Sequence, residues 1–314
     1  MTVSMADGGP PPSSLPALPY RRAGALAMLR AGATSWTRRG ARFLPPMGVD
    51  GSGRPVLGVQ SRGVEVRWRD VEAYARVCGH GAARQVPATY PHVLALPLQL
   101  ALLLDRRFPW PLPGLVHLAS SVRQWQAIEA GDVLDLAVWL DRPIAHPKGQ
   151  ALVLGCRVGR RGVVVWEGEN VYLRRGVPLP EGEPWPGEDA RPDAARSSTE
   201  AWRVPADIGR RYARVSGDAN PIHLHPLLAR LFGFRSAIAH GMWTFARALA
   251  GLGRLPGRLQ AEAEFRAPIL LPAQVRLRCE QTSGPQESGH LWVVESADGE
   301  RVHAVGRCAP IVEA

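Results

Sequence analysis

Residues 212–242 read YARVSGDANPIHLHPLLARLFGFRSAIAHGM. Within them, Ser216-Gly-Asp-Ala-Asn-Pro-Ile-His223 sets a carboxylate, Asp218, and an imidazole, His223, five residues apart. Gly217 permits an unusual turn after the preceding helix. Asn220 is a capping residue type and Pro221 opens helices, so a short helical turn starts here with His223 near its third position. Pro226 disrupts that turn and begins a new helix, which ends by Gly233. Asp218 then lies on a loop and His223 on the adjoining turn, and both side chains can converge on one water. Each residue also has a plainer reading. Asp218 alone is a helix cap, and Asn220-Pro221 alone is a generic turn. His223-x-His225 is half of a metal site, but no further ligand-spaced cluster supports it, and His225 itself reads as turn structure. His240 belongs to a residue type more often packed and hydrogen-bonded than catalytic.

Outward from this stretch the chain repeats itself. Tyr74-Ala-Arg-Val-Cys-Gly79 returns as Tyr212-Ala-Arg-Val-Ser-Gly217. Pro91-His92 precedes one apolar run, and Ala239-His240 precedes Gly241-Met-Trp-Thr-Phe-Ala-Arg-Ala-Leu. Val122-Arg123 followed by GDVLDLAVWL parallels Phe265-Arg266 followed by PAQVRLRC. The order is the same in both halves, so two copies of one fold is the economical explanation.

Each copy has the same grammar. A short strand (VEVRW; EAWRV) leads to a helix capped by Asp70 or Asp207. A buried apolar helix follows, near Leu94 to Leu104 and Gly241 to Leu252, with Gly253 as the second helix's stop. β-rich segments complete each copy: VLDLAVWL, QALVLGCRV and GVVVWEGENVYL, then EAEFRAPI, AQVRLRCE, HLWVVESA and RVHAVGRC. One central helix followed by an antiparallel meander requires a sheet that wraps the helix. Residues 1–56 read as a flexible leader with a short helix over 21–30, and 57–175 as the first copy. Residues 176–200 are a Pro-rich acidic linker, and 201–314 form the second copy.

Composition bounds the chemistry. The chain has 314 residues, 46% hydrophobic and 21% charged, with a formal charge of +10. Lys148 is the one lysine among 38 basic residues, which excludes a lysine-dependent P-loop and, almost everywhere, Schiff-base catalysis. The arginines are scattered among acids rather than gathered in runs, so they read as surface, with some free to hold an anionic ligand such as a phosphate. Four cysteines, Cys78, Cys156, Cys279 and Cys308, form no CxxC pair, which fits a reducing compartment. The run at 93–104 is too short to span a bilayer. These features predict a cytoplasmic protein that neither enters a membrane nor binds nucleic acid.

The signature Tyr212-Ala-x-x-Ser-Gly-Asp-x-Asn-Pro-Ile-His223, with Ala229, Gly233-Phe234 and Ile238-Ala-His-Gly-Met242, resembles that of MaoC-like (R)-specific enoyl-thioester hydratases. The whole chain is similar to the two-hotdog 3-hydroxyacyl-thioester dehydratases, whose degenerate first copy ends in a pattern present here as Val86-Pro-Ala-Thr-Tyr-Pro91. The resemblance implies an α+β fold of two tandem hotdogs. It implies that Asp218 and His223 are the catalytic pair and that the Gly241 backbone N–H is the oxyanion donor. Asn220, Ser216 and His240 would bind or orient.

The implied reaction joins trans-2-enoyl and (R)-3-hydroxyacyl thioesters of CoA or acyl-carrier protein, with no metal or redox cofactor. It needs a base for water at C3, an acid for C2 and a donor to the thioester oxygen. After Cys78-Gly79 the first copy lacks the Asp and the Asn-Pro-x-His, so one active site per chain is expected, near the junction of the copies, in a pseudodimer for which further homodimerisation stays open. Apolar residues over 93–104 line its acyl tunnel or simply pack the core. The competing functions are a non-catalytic thioester-binding subunit and a thioesterase.

Overall fold

The strands of the first half are β1 (Gly58–Glu65), β2 (Leu115–Gln124), β3 (Val133–His146), β4 (Gly149–Arg160) and β5 (Val163–Arg175). Those of the second half are β6 (Ser197–Val204), β7 (Leu259–Phe265), β8 (Ala273–Thr282), β9 (Gly289–Ser296) and β10 (Val302–Pro310). The structure, a computed structural model, describes residues 12, 14–22, 48–49, 55–81, 85–186, 191–283 and 288–312. The ten strands form one sheet in the order β1-β3-β4-β5-β2-β7-β10-β9-β8-β6, antiparallel throughout. Read outward from the centre, each half places its strands in the same sequence, second, fifth, fourth, third, first. The repeat seen in the chain is thus a repeat of topology, and β2 against β7 is the seam.

Each half wraps its sheet around a long apolar helix. In the first half this is α2 (Tyr90–Leu103), which follows α1 (Trp68–Cys78). The second half has α3 (Ile208–Ser216), two short helices α4 (Pro221–Leu224) and α5 (Pro226–Arg230), and then α6 (Gly241–Gly251). Helix α2 is buried on nearly every side, which explains why its sequence shows no polar face. The inward residues of β7, Leu259, Ala261 and Ala263, alternate with outward Gln260, Glu262 and Glu264.

The paired YARV motifs lie on α1 and α3. Each helix ends on a left-handed glycine, Gly79 at φ 76° and Gly217 at φ 83°, a conformation that costs glycine nothing. Tyr74 and Tyr212 meet across the seam with ring centroids 6.0 Å apart. Trp243 Nε1 of α6 also donates to the Val77 carbonyl of α1 at 3.0 Å, so the halves share one interior.

Four local readings change. Helix α1 starts at Trp68, so Asp70 sits in its first turn and pairs with Arg22 at 2.6 Å instead of capping. Asp207 holds the cap position of α3 without a side-chain capping bond. Strand β2 is absent from the β-rich segments read in the sequence, since most of its residues are buried and no clear polar–apolar alternation marks it. Parts of the stretch 176–200 lie on the sheet: Glu183–Pro184 pairs with Ile144–Ala145, Trp185 N–H donates to the Ala145 carbonyl at 2.8 Å, and β6 begins at Ser197. Beyond Arg22, the helix read over 21–30 lies outside the described residues.

Many arginines are spent on the outer face of the sheet. Arg307 pairs with Glu262, Arg276 and Arg278 with Glu295, Arg157 with Glu167, and Arg142 with Glu169. These are cross-strand charge pairs, which accounts for the scattered pattern of the sequence. All four cysteines are free thiols. Among the described residues no helix is long and apolar enough to cross a membrane.

Candidate active site

The loop after α3 is built by local hydrogen bonds. Ser216 Oγ donates to the Tyr212 carbonyl at 2.8 Å and accepts from Asp218 N–H at 3.1 Å. The Asp218 carboxylate then accepts Asn220 N–H at 3.3 Å. The Asn220 side chain caps α4 by accepting from Ile222 N–H, and Pro221 follows at the first helical position, as the residue types require. His223 is therefore the third residue of α4. His225 caps α5 by accepting Leu227 N–H at 3.2 Å and is exposed, outside the cluster.

Three side chains converge. The imidazoles of His223 and His240 stack with centroids 3.6 Å apart, and Asp218 and both histidines present ligand-type atoms within 4.8 Å of one another. His223 Nδ1 lies 2.8 Å from the Ile238 carbonyl. A carbonyl only accepts, so the proton sits on Nδ1 and Nε2 is left as an acceptor. Burial, then the neighbouring His240 ring, pushes His223 down to about 3, which keeps it neutral at physiological pH. Burial moves Asp218 the other way, above the usual carboxylate range, against the pull of His223 and the Asn220 N–H.

His240 is the N-cap of α6, and its Nε2 donates to the Asp218 carbonyl at 2.9 Å. It ties the loop to the central helix. Its Nε2 carries that proton, so this nitrogen cannot ligate a metal without surrendering the tie, while its Nδ1 is buried and has no hydrogen-bond partner. Gly241 is the first residue of α6, where a backbone N–H has no intrahelical acceptor. A Cβ there would sit 3.0 Å from the Phe265 ring.

Ser216, Asp218, Asn220, His223, His240 and Gly241 line one cavity of about 800 Å³. Its other walls come from the first half. Val93, Leu96, Leu100 and Leu103 of α2 face it, and Leu96 and Leu100 pack on Ala219, next to Asp218. His117 and Tyr172 join them from β2 and β5. Beyond, Lys148, Arg175, His146 and Trp185 line the same cavity, with both cations exposed. The second-half signature could not reveal His117, Tyr172 or Lys148. The register that pairs Ala119 with Glu264 brings the first-half residues near Phe265. Reading residues 115–124 as a strand would have been the signal.

Tandem halves, each a helix in a curled antiparallel sheet, with the site at their seam, define a double hotdog. A Mycobacterium tuberculosis protein described as having a double hotdog fold aligns with a TM-score of 0.54 at 13% identity, over 81% of this chain and 96% of that one. Residues 185–300 match the family described as MaoC like domain. The 3-hydroxyacyl-thioester dehydratase X of Mycobacterium tuberculosis is 34% identical over 216 residues, 68% of this chain and 77% of its own length. A crystal structure of that dehydratase aligns with a TM-score of 0.68 and 28% identity, over 81% of this chain and all of the other. The chain belongs to the MaoC-like dehydratase family and is a hydro-lyase.

Proposed function

We propose that the protein interconverts trans-2-enoyl and (R)-3-hydroxyacyl thioesters, using Asp218, His223 and the Gly241 N–H. The supporting observation is that a neutral imidazole with a bare Nε2, a carboxyl of raised pKa and a helix-start amide share one largely apolar cavity. In hydration, one member of the Asp218/His223 pair takes a proton from water as its oxygen bonds C3, and the pair delivers a proton to C2. The thioester oxygen gains charge between these events, and the Gly241 N–H at the positive end of α6 stabilises it. Asn220 and Ser216 act through the loop that they hold, and His240 acts by tying that loop to α6. The acyl chain lies against Val93, Leu96, Leu100 and Leu103.

Lys148 and Arg175 supply positive charge for a phosphate of the carrier, whether CoA or the phosphopantetheine of an acyl-carrier protein. Both cations, after burial, hold the pKa of His146 down, and no carboxylate pairs with either among the described residues. The chain carries both halves of the site, so a second copy is not needed to complete it.

The test follows enoyl absorbance and free thiol together with crotonyl-CoA. Loss of the enoyl signal without thiol release is expected for the wild type, and neither D218N nor H223A should turn over. Retained turnover in both variants would sink the assignment. Thiol release would instead indicate a thioesterase, and binding without turnover a non-catalytic subunit.

A further inference from the structure

The surface of the second half beside the site is both apolar and basic. Among the described residues nine large apolar side chains are exposed, and four of them, Leu227, Leu228, Leu231 and Phe232, fall within six consecutive residues. Leu231 is 80% exposed and Leu227 61%. They lie on α5 and its exit, and within α5 only Ala229 is buried. Isolated exposed leucines are ordinary, but a contiguous apolar patch rimmed by polar groups marks an interaction surface. Here the rim is cationic. Between Asp207 and Glu262 the sequence holds eight arginines and one acid, Asp218, which lines the cavity. Arg210, Arg230 and Arg235 are exposed. Arg210 Nη1 donates to the Leu224 carbonyl at 3.2 Å and Arg230 Nε to the Arg235 carbonyl at 3.4 Å, which holds both groups beside α5 without neutralising them. Among the described residues no carboxylate pairs with any of the three, in contrast to the arginines of the sheet.

The patch borders the site. Ile222 and Phe234, on either side of α5 in the chain, line the cavity. Leu224 of α4 packs with Leu104, at the end of α2, on the Leu96–Leu100–Ala219 cluster next to Asp218. Helix α5 thus stands on the rim of the cavity. A basic rim repels a second copy of this chain, and a lipid surface brings no thioester to the cavity. A partner that satisfies the apolar centre and the basic rim together is acidic and presents apolar side chains of its own, and one that also serves the site carries a thioester on an arm. We propose that an acidic acyl-carrier protein docks on α5, with apolar side chains against Leu227, Leu231 and Phe232 and carboxylates on Arg210, Arg230 and Arg235, and feeds its phosphopantetheine thioester into the cavity beside it. The inference rests on the hydratase reading above and selects the carrier for it, since CoA has no protein face to cover the patch.

Three crotonyl thioesters test this: those of a purified acidic acyl-carrier protein, of CoA, and of N-acetylcysteamine, which has the end of the arm without phosphate or protein. L231E and the double variant R230E/R235E place negative charge on the docking face. Each should lower kcat/KM for the carrier-protein thioester roughly tenfold or more and leave that for crotonyl-CoA within about twofold. The loss in R230E/R235E should shrink as salt rises, because exposed charges are screened over about 10 Å at 0.1 M ionic strength. Equal losses on the carrier-protein and CoA thioesters, or no loss on the former, would overturn the inference. Sedimentation of the wild type with phosphatidylglycerol vesicles, abolished in L231E while carrier-protein turnover is kept, would assign the patch to lipid and overturn it as well. Retained turnover of crotonyl-CoA shows that the variants fold. If neither folds, the wild type decides, because equal kcat/KM for the carrier-protein and N-acetylcysteamine thioesters also overturns the inference. No turnover of any of the three by the wild type is a different result: it removes the hydratase reading and this inference with it.

Discussion

Replacing Gly241 with alanine tests the oxyanion donor most directly. The added Cβ would lie 3.0 Å from Cδ2 and Cε2 of Phe265 and 3.1 Å from Cγ. Carbon pairs prefer about 3.5–4.0 Å, so a separation of several tenths of an ångström must open between ring and helix start. Phe265 cannot yield freely, because His117 abuts its ring. Part of the shift therefore falls on the first turn of α6, and the methyl also crowds the approach of a carbonyl to the N–H. Loss of one such donor costs about 2.7–4 kcal/mol, a factor of roughly 10² to 10³ in kcat. Stability should move far less, since alanine is the better helix former by about 1 kcal/mol and that gain offsets the strain. The assay is hydration of crotonyl-CoA by loss of enoyl absorbance, with a melting curve on the same sample. A G241A protein that melts like the wild type and retains kcat within about twofold, against that expected loss, would refute the assignment.

Three further outcomes follow from the charges. D218N should melt higher than the wild type at neutral pH. The folded-state pKa of Asp218 is raised, so its contribution to stability is intact below the ordinary value of 3.8 and is lost as pH rises through the folded value. The advantage of D218N should therefore shrink on acidification and be gone below that value, and a pH-independent difference would contradict the raised pKa. The acid limb of kcat/KM should fall above the ordinary carboxylate range, and a limb within that range would contradict the raised pKa of Asp218. K148A combined with R175A should raise KM for crotonyl-CoA, more at low salt than at high, and leave the N-acetylcysteamine thioester untouched. Equal effects on both substrates would deny these cations a phosphate.

The parts of the site that were legible lie close together in the chain. Asp218, Asn220, Pro221, His223 and Gly241 fall within one loop-and-helix stretch whose turn chemistry is local, so capping and proline rules place them without the rest of the protein. The double hotdog was legible because the YARV repeat sits on the two helices that meet at the seam. His117, Tyr172 and Phe265 were not legible, since they come together only through the register of β2 against β7 and β5, and long-range pairing leaves no mark in a local window. The same limit hid the binding of residues 181–185 to β3 and β4, where Pro-rich sequence looks like linker but the Gln150 side chain donates to the Glu181 carbonyl and accepts from the Glu181 N–H.

Why only one of two homologous halves carries the pair follows from the start of the central helix. In the second half His240 caps α6 and Gly241 is the first helical residue, so its N–H is free for a ligand. The matching histidine of the first half, His92, is already the third residue of α2, because Tyr90-Pro91 starts that helix earlier. Val93, the counterpart of Gly241, therefore falls on the fourth helical residue, carries a β-branched side chain into the cavity, and has no exposed helix-start amide to offer. The chain between Gly79 and His92 is also ten residues shorter than that between Gly217 and His240, and the missing length is the part that would hold a carboxylate and the Asn-Pro-x-His turn. Restoring an aspartate to the first half would therefore not create a second site. Helix start, loop length and residue identity would have to change together, which leaves this half to furnish the cavity wall, with its leucines, His117 and Lys148.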